Sequence, residues 1–106
     1  MDETLIHFDP FKREYKPRPH AYEFIRILSE YYEIVVFTAG LKDYANFILD
    51  DFDKENLISR RLYRDSCSFR RGIYMKDLTK VRKDLQKVII IDNIAENFAL
   101  QPNNGI

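Results

Sequence analysis

Several residue types are scarce in this sequence, and each scarcity excludes a class of structure or partner. A single cysteine, Cys67, means that no disulfide can form within the chain. No apolar run approaches the roughly 20 residues that a membrane-spanning helix needs. Seventeen basic residues balance seventeen acidic ones, so net charge gives no reason to expect direct nucleic-acid or membrane-surface binding. The remaining composition, 45% hydrophobic and 32% charged, is that of a small globular domain.

Two short apolar runs predict strands that are buried on both faces. They are "IVVF" at residues 34–37 and "VIII" at residues 88–91, both rich in β-branched side chains. Continuous apolar runs of this kind are typical of parallel sheets that helices cover on both sides. Small polar residues follow each run, Thr38 after the first and Asp92 with Asn93 after the second. Because ligands of open α/β sheets bind at the carboxyl ends of the strands, we expect chemistry at these residues.

Helical patterns fill the intervals between these runs. Apolar residues recur at helical spacing over residues 19–32 and 41–52, and a shorter amphipathic pattern covers residues 79–86. Two short strands are expected around residues 62–63 and 73–75, and residues 8–19 are expected to be a charged, proline-bearing connector. The alternation predicts an α/β fold with a mainly parallel sheet.

Both ends of the sequence suggest an incomplete domain. No apolar strand stands before "MDETL", and Ile106 would suit the first residue of a further strand. We therefore expect residues 1–106 to form one domain that lacks elements at both ends.

Polar residues at four points along the chain suit phosphoryl transfer. These points are Asp2 with Thr4, then Thr38, then Lys76, then Asp92 with Asn93. A hydroxyl and an ammonium group can bind phosphoryl oxygens, and carboxylate and amide oxygens are ligands that Mg²⁺ prefers. The nucleophile would be an aspartate two residues before Asp2, which is the position immediately before Met1.

The sequence resembles the C-terminal-domain phosphatase family, also called FCP homology or NLI-interacting-factor-like, of the haloacid dehalogenase superfamily. The resemblance is carried by "MDETLIH", "KPRPHAYEFI", "YYEIVVFTAGLKDYANFILDDFD", "RLYRDSCSFRRGIYMKDL" and "KVIIIDNIAENFALQPNNGI". These stretches follow the family order and cover nearly all of the chain. The resemblance implies a central parallel sheet between helices, with a small β insert near residues 60–75.

The resemblance also implies a role for each matching residue. Asp2 matches the second aspartate of the family's Asp-x-Asp-x-Thr motif, a general acid and base whose backbone also helps to hold Mg²⁺. Thr38 and Lys76 match the residues that hold the phosphoryl group. Asp92 and Asn93 match the metal site. Three further residues match substrate contacts: Thr4 of the first motif, Tyr44 in the wall of a peptide groove and Arg71 near the substrate phosphate.

These matches imply a Mg²⁺-dependent protein serine/threonine phosphatase that forms an aspartyl-phosphate. Its partner would be a phosphoserine peptide, with the tail of RNA polymerase II as one candidate, which favours the nucleus. The 106-residue chain as given would be inactive, because it lacks the nucleophilic aspartate. The alternative is a catalytically inactive binding or scaffold protein on the same fold, like the family's mitochondrial import-receptor branch. A small-molecule phosphatase of the wider superfamily is a third hypothesis, against which the match of "DSCSFRRGIYMKDL" to the protein-phosphatase branch argues. The location is expected to be intracellular, with the mitochondrial inner membrane and the cytoplasm open beside the nucleus.

Taken singly, the same residues have ordinary structural explanations. Asp2 could be an acidic residue at a solvated terminus, Thr38 a helix cap and Lys76 a surface lysine. Their ordered coincidence with the family pattern favours functional roles. Three residues are predicted to be structural in any case: His7, His20 and Cys67.

Overall fold

Two α-helices and six short strands make up a mixed α/β fold in the computed structural model, which describes all 106 residues. The strands are β1 (Ile6–Asp9), β2 (Glu14–Pro17), β3 (Ile34–Phe37), β4 (Ile58–Leu62), β5 (Ser68–Arg70) and β6 (Ile73–Met75). The helices are α1 (Ala21–Leu28) and α2 (Lys42–Phe52). Short 3₁₀ turns occupy Arg64–Ser66, Leu78–Lys80, Leu85–Lys87, Ala95–Phe98 and Pro102–Asn104. Neither α-helix has the length and apolar character that crossing a membrane requires.

The two helices form where the apolar spacing predicts them. Helix α2 buries Ala45, Ile48, Leu49 and Phe52, which recur every three or four residues and therefore share one face. Helix α1 buries Ala21 and Ile25 in the same way. These side chains form one hydrophobic core together with Met1, Ile6, Val36 and Ile58.

The first predicted strand is confirmed as β3. It pairs in parallel with β4, and Phe37 lies opposite Leu62 at the carboxyl ends of both strands. The ladder continues one residue further, since the Thr38 N–H donates to the Leu62 carbonyl at 2.9 Å. Thr38 therefore lies at the carboxyl end of a parallel pair, as the sequence predicted.

The second predicted strand, at residues 88–91, is wrong. Only a single parallel bridge forms there, between Ile90 and Gly105, and Ile89 and Ile91 remain 59% and 44% exposed. A strand needs hydrogen-bonding partners along its length, and this segment has them at one residue. The predicted parallel sheet is consequently a two-stranded pair, accompanied by two antiparallel hairpins.

Two connecting segments also differ from expectation. Residues 8–19 are not an irregular connector, because β1 and β2 form an antiparallel hairpin in which Phe8 lies opposite Tyr15. The Asp9 carboxylate accepts hydrogen bonds from the N–H groups of Phe11 and Lys12, which closes the turn.

The small β insert likewise differs in detail. Leu62 ends β4 and pairs with β3, so the insert is instead the antiparallel hairpin of β5 and β6 around Gly72. Gly72 has φ +77°, a conformation that glycine adopts without steric cost. The predicted helical segment at 79–86 forms only 3₁₀ turns.

Candidate active site

A tight turn carries the first pair of predicted site residues, Asp2 and Thr4. The Met1 carbonyl accepts a hydrogen bond from the Leu5 N–H at 2.9 Å, and Glu3 is left-handed with φ 60°. The Arg18 guanidinium spans this turn from outside. Its Nε donates to the Thr4 carbonyl at 2.8 Å and its Nη2 to the Glu3 carbonyl at 3.0 Å. These two guanidinium hydrogen bonds fix the backbone of the turn that carries Asp2 and Thr4.

Tyr44 of α2 contacts the Asp2 carboxylate directly. Its hydroxyl donates to Asp2 Oδ1, and its ring packs edge-on against Phe8 with centroids 5.1 Å apart. Burial and the hydrogen bond to Asp2 raise the pKa of Tyr44 above its usual value, so the hydroxyl remains a neutral donor. Tyr44 thereby fixes the direction in which one oxygen of Asp2 points.

Thr38 lies beside Tyr44 and is only 2% exposed. Its Oγ1 accepts the Gly40 N–H at 3.0 Å, which orients the hydroxyl. A Cβ on residue 40 would lie 3.1 Å from the Tyr44 ring and 3.2 Å from Thr38 Oγ1, closer than ordinary contact distance. Glycine at this position lets the two side chains approach the same space.

Lys76 and Asp92 form a buried ion pair. Their side chains are 6% and 3% exposed, and Lys76 Nζ lies 2.5 Å from Asp92 Oδ2. The other oxygen, Asp92 Oδ1, accepts from the Ile94 N–H at 3.0 Å and from Asn97 Nδ2 at 3.2 Å. Burial alone would raise the pKa of Asp92, but the hydrogen bonds from Lys76 and its neighbours outweigh burial and lower it. Asp92 is therefore an ionised anchor for the Lys76 ammonium.

Nearby charged groups act on the Met1 α-amine at the start of the first motif. Burial and the charge of Lys76 lower the pKa of this amine to about 6, and Asp92 and Asp2 act in the opposite direction. Thr4 Oγ1 also donates to Asn93 Oδ1 at 3.3 Å, which connects the first motif to the segment after Asp92.

Two open clefts border parts of this site, and the buried Thr38 and Lys76 line neither of them. One, of about 430 Å³, is lined by Thr4, Arg18, Asp92 and Asn93 together with apolar side chains. The other, of about 380 Å³, is lined by Asp2, Gly40, Tyr44 and Arg64 with Ala39 and Leu41. The first motif thus contributes to both clefts, Thr4 to one and Asp2 to the other.

Comparison with known proteins identifies the family to which this chain belongs. The model of the NLI interacting factor-like phosphatase family matches residues 1–106. The chain belongs to this family. It is 44% identical over 89 residues to Phosphatase Herzog of Drosophila melanogaster, covering 84% of the chain and 25% of the relative. It is 40% identical to CTD small phosphatase-like protein 2 of Dictyostelium discoideum, covering all of the chain and 22% of the relative.

A human relative is similar to the same degree. It is Carboxy-terminal domain RNA polymerase II polypeptide A small phosphatase 1, 42% identical over 89 residues, with 84% of the chain and 34% of the relative covered. The chain therefore spans between about a fifth and a third of the length of these three relatives.

Within this family framework, the structure separates two arginines. Arg71, predicted as a substrate contact, lies at the exposed turn between β5 and β6 with φ 52° and lines neither cleft. Arg64, which the sequence reasoning missed, lines the cleft of Asp2 and donates Nε to the Ala39 carbonyl at 2.7 Å. The sequence could have indicated Arg64 as a site residue, because Arg64 lies shortly after the carboxyl end of β4, as Thr38 lies after that of β3.

The remaining predicted structural residues lie outside this chemistry. His7 contacts Glu3 at 2.5 Å and His20 contacts Glu23 at 3.6 Å, and both histidines are exposed. Cys67 donates its thiol to the Thr38 carbonyl at 3.7 Å. Burial raises the pKa of Cys67, so the thiol stays protonated.

The oxygen-bearing side chains of the site suit a hard cation. No group of three or more His, Cys, Asp or Glu residues is arranged as a closed metal cage. Mg²⁺ rarely uses such cages and is usually held by one or two carboxylates with waters and phosphate oxygens. Asn93 Oδ1 accepts one hydrogen bond and retains acceptor capacity, whereas Asp92 Oδ1 already accepts two. The ligand implied for Asp2 is its backbone carbonyl, which leaves its carboxyl group free for proton transfer. The donor chemistry therefore fits Mg²⁺. Of the three proposed ligands, Asp92 makes the most hydrogen bonds to the protein itself.

Proposed function

We propose that this protein is a Mg²⁺-dependent protein serine/threonine phosphatase that acts through an aspartyl-phosphate. The observation that carries the proposal is the contact of Thr4 with Asn93 at 3.3 Å, which brings the first motif to the segment that holds the Lys76–Asp92 pair. The proposed nucleophile is an aspartate immediately before Met1, two residues before Asp2.

Each residue then has a role in two displacement steps. The nucleophilic carboxylate attacks phosphorus and the bond to the serine oxygen breaks, while Asp2 gives that oxygen its proton. Asp2 next takes a proton from water, whose oxygen attacks phosphorus and releases phosphate and the free aspartate. Thr38 and Lys76 bind the phosphoryl oxygens throughout. Asn93, Asp92 and the backbone of Asp2 would hold Mg²⁺, which would supply positive charge to the phosphoryl oxygens.

The proposed substrate is a phosphoserine peptide lying across the cleft of Asp2. Tyr44 and Arg64 line that cleft, and Arg64 offers a fixed positive charge for the phosphoryl group. Thr4 and Arg71 remain predicted substrate contacts. The name of the human relative makes the tail of RNA polymerase II the first peptide to test, and we propose a nuclear location with it.

The test measures phosphate release by the full-length protein from a phosphoserine peptide of that tail, with Mg²⁺ and with EDTA. Asp2→Asn should lower kcat by about 100-fold or more, because positioned acid–base groups typically contribute that much. Asp9→Asn, in the exposed turn of the β1–β2 hairpin, is the matched control and should keep wild-type turnover.

Two further experiments distinguish the proposed phosphatase from a scaffold protein. A polypeptide that begins at Met1 should show no turnover above its own Lys76→Ala variant, and a preceding segment ending in aspartate should restore turnover. Activity that survives Asp2→Asn contradicts the acid role. Absence of turnover in every arm, with the peptide still bound, is the behaviour expected of a scaffold protein.

A further inference from the structure

A row of aromatic and basic side chains extends from the cleft of Asp2 along the β5–β6 hairpin. The Arg64 guanidinium carbon lies 4.8 Å from the centroid of the Tyr74 ring. The Tyr74 and Phe69 rings follow with centroids 4.7 Å apart and planes tilted by 47°. Arg71 occupies the hairpin turn beyond them. We call these four residues the aromatic–basic strip: Arg64, Tyr74, Phe69 and Arg71.

The geometry of the hairpin gives the strip a defined face. Phe69 and Tyr74 are directly opposite in the antiparallel register, so both rings point to one side of the two-stranded sheet. Arg70 and Ile73 form the next pair and point to the other side. The strip therefore begins at a residue that lines the Asp2 cleft, continues through two rings on a single face and ends at the turn that carries Arg71.

Charge on the strip is not neutralised by the protein itself. Neither Arg64 nor Arg71 has a carboxylate within 4.0 Å, since the five ion pairs of the molecule all involve other residues. Asp65 is the only acidic residue in the whole segment from 64 to 76. Phe69, at the centre of the strip, is 61% exposed despite its ring contact with Tyr74. A positive and aromatic surface thus continues the cleft on a chain whose total charge is zero.

We propose that the aromatic–basic strip binds the flank of the phosphopeptide substrate and selects peptides with acidic and aromatic residues there. This inference rests on the proposed phosphatase function and names its substrate class more closely. Arginines pair with carboxylates, and the open face of Phe69 stacks on an aromatic side chain of the peptide. Arg64 belongs to both surfaces, so a bound peptide passes from the reacting phosphoserine onto the strip without a gap.

The experiment compares two phosphoserine peptides of equal length with the full-length protein. One carries two glutamates and a tyrosine on a flank, and the other carries alanine and serine there. Fluorescence anisotropy gives the Kd of each without requiring turnover. The acidic, aromatic peptide should bind about 10-fold more tightly, and Phe69→Ala should remove about 5-fold of that preference. Arg71→Gln should lower affinity only for the peptide that carries glutamates.

Matched variants separate the strip from general effects. Phe47, on α2, is exposed to a similar degree at 64%, so Phe47→Ala should leave both Kd values unchanged. Arg70→Gln removes the same charge as Arg71→Gln from the opposite face and should not alter the preference. Turnover of a small aryl phosphate should be the same in Phe69→Ala as in wild type, which shows that the variant is folded.

Three outcomes overturn the inference. Equal Kd values for the two peptides do so, as does an effect of Phe47→Ala as large as that of Phe69→Ala. Binding of a single-stranded oligonucleotide that is stronger than that of either peptide, and is lost in Phe69→Ala, assigns the strip to nucleic acid instead. Loss of aryl phosphate turnover in all forms refutes the phosphatase proposal alone, because the Kd comparison still decides whether the strip selects peptides.

Discussion

At the scale of single residues, the hydroxyl of Tyr44 has the most direct influence on the proposed chemistry. It donates to one oxygen of Asp2, while the Phe8 ring and the backbone of Gly40 confine its own ring. A hydrogen bond to a charged group contributes about 1.5–3 kcal/mol. This hydrogen bond is the main interaction that orients the Asp2 carboxylate, since few other contacts hold it.

Tyr44→Phe should therefore lower kcat for a phosphoserine peptide by roughly 10-fold, because about 1.4 kcal/mol of barrier corresponds to one factor of ten. The ring contact with Phe8 is retained, so the midpoint of urea unfolding should change little. Tyr15→Phe is the matched control. It also removes a hydroxyl that donates to an aspartate, Asp51, but on the β1–β2 hairpin away from the site. Equal kcat values for the two variants would contradict a role for Tyr44.

At the scale of elements, short capped turns take the place of helices in the last third of the chain. Asp77 begins the Leu78–Lys80 turn, and its Oδ1 accepts from the Thr79 N–H, the Thr79 hydroxyl and Gln101 Nε2. Gln101 in turn accepts the Leu78 N–H at 2.9 Å. One carboxylate therefore connects this turn to a segment more than twenty residues later in the chain.

The pKa of Asp77 is lowered, chiefly by the hydrogen bond from the Thr79 hydroxyl, so its folded form favours the ionised state. Because the pKa of Asp77 is lower in the folded than in the unfolded protein, where it is near 4, the carboxylate stabilises the fold fully at pH values above about 4. This contribution is lost as the pH falls through the folded pKa. Asp77→Ala should cost about 1 kcal/mol of unfolding free energy at pH 7, as loss of a cap does. The cost should shrink below pH 4.

Urea unfolding between pH 7 and pH 3 measures this effect. Thr79→Val, which removes the hydroxyl donor, should also flatten the acid limb of the wild-type curve. Unfolding free energies of wild type and Asp77→Ala that stay parallel over this range would show that the carboxylate charge is irrelevant.

At the scale of the whole molecule, the Lys76–Asp92 pair joins the β5–β6 hairpin to the C-terminal segment. The segment has little regular structure of its own, and the Lys76 N–H also donates to the Asn97 carbonyl at 2.7 Å. Both charges are almost fully buried, so each depends on the other for compensation. The same contact positions the Lys76 ammonium, which is proposed to bind phosphate. The Lys76–Asp92 pair therefore serves both the stability of the fold and the proposed function.

Removing one partner should cost about 3–5 kcal/mol, because the other charge is left buried and unpaired. This is a large share of the stability of a small domain. Lys76→Met and Asp92→Leu are therefore each expected to lower the urea midpoint strongly, and the double variant should recover much of the loss. Additive losses in the double variant would show that the two charges are independent. No variant of Lys76 should retain phosphatase turnover.

The sequence predicted best what depends on near neighbours along the chain. Helix α2 follows from a repeat that buries Ala45, Ile48, Leu49 and Phe52, and all its backbone hydrogen bonds close within the segment. The position of Thr38 after β3 follows from one apolar run. The family resemblance was confirmed across residues 1–106, whereas the roles of Asp2, Lys76 and Asn93 remain predictions.

What the sequence could not decide depends on distant partners. Residues 88–91 have the composition of a buried strand, yet they gain one bridge because a ladder requires a neighbour that lies elsewhere in the chain. The β1–β2 hairpin was not predicted, because its exposed charged residues obscure the alternation of apolar and polar side chains that indicates a strand. Arg64 entered the site only when parallel pairing set the end of β4 beside the end of β3.

The sequence by itself thus determined the chemical groups, their order and the two helices, because helical hydrogen bonds and motif identities are local. Tertiary structure alone decided that Lys76 meets Asp92, that Tyr44 meets Asp2 and that Arg64 rather than Arg71 lines the cleft. Those contacts join residues between 16 and 42 positions apart, and no local pattern specifies such a distance. Packing of the core brings them together.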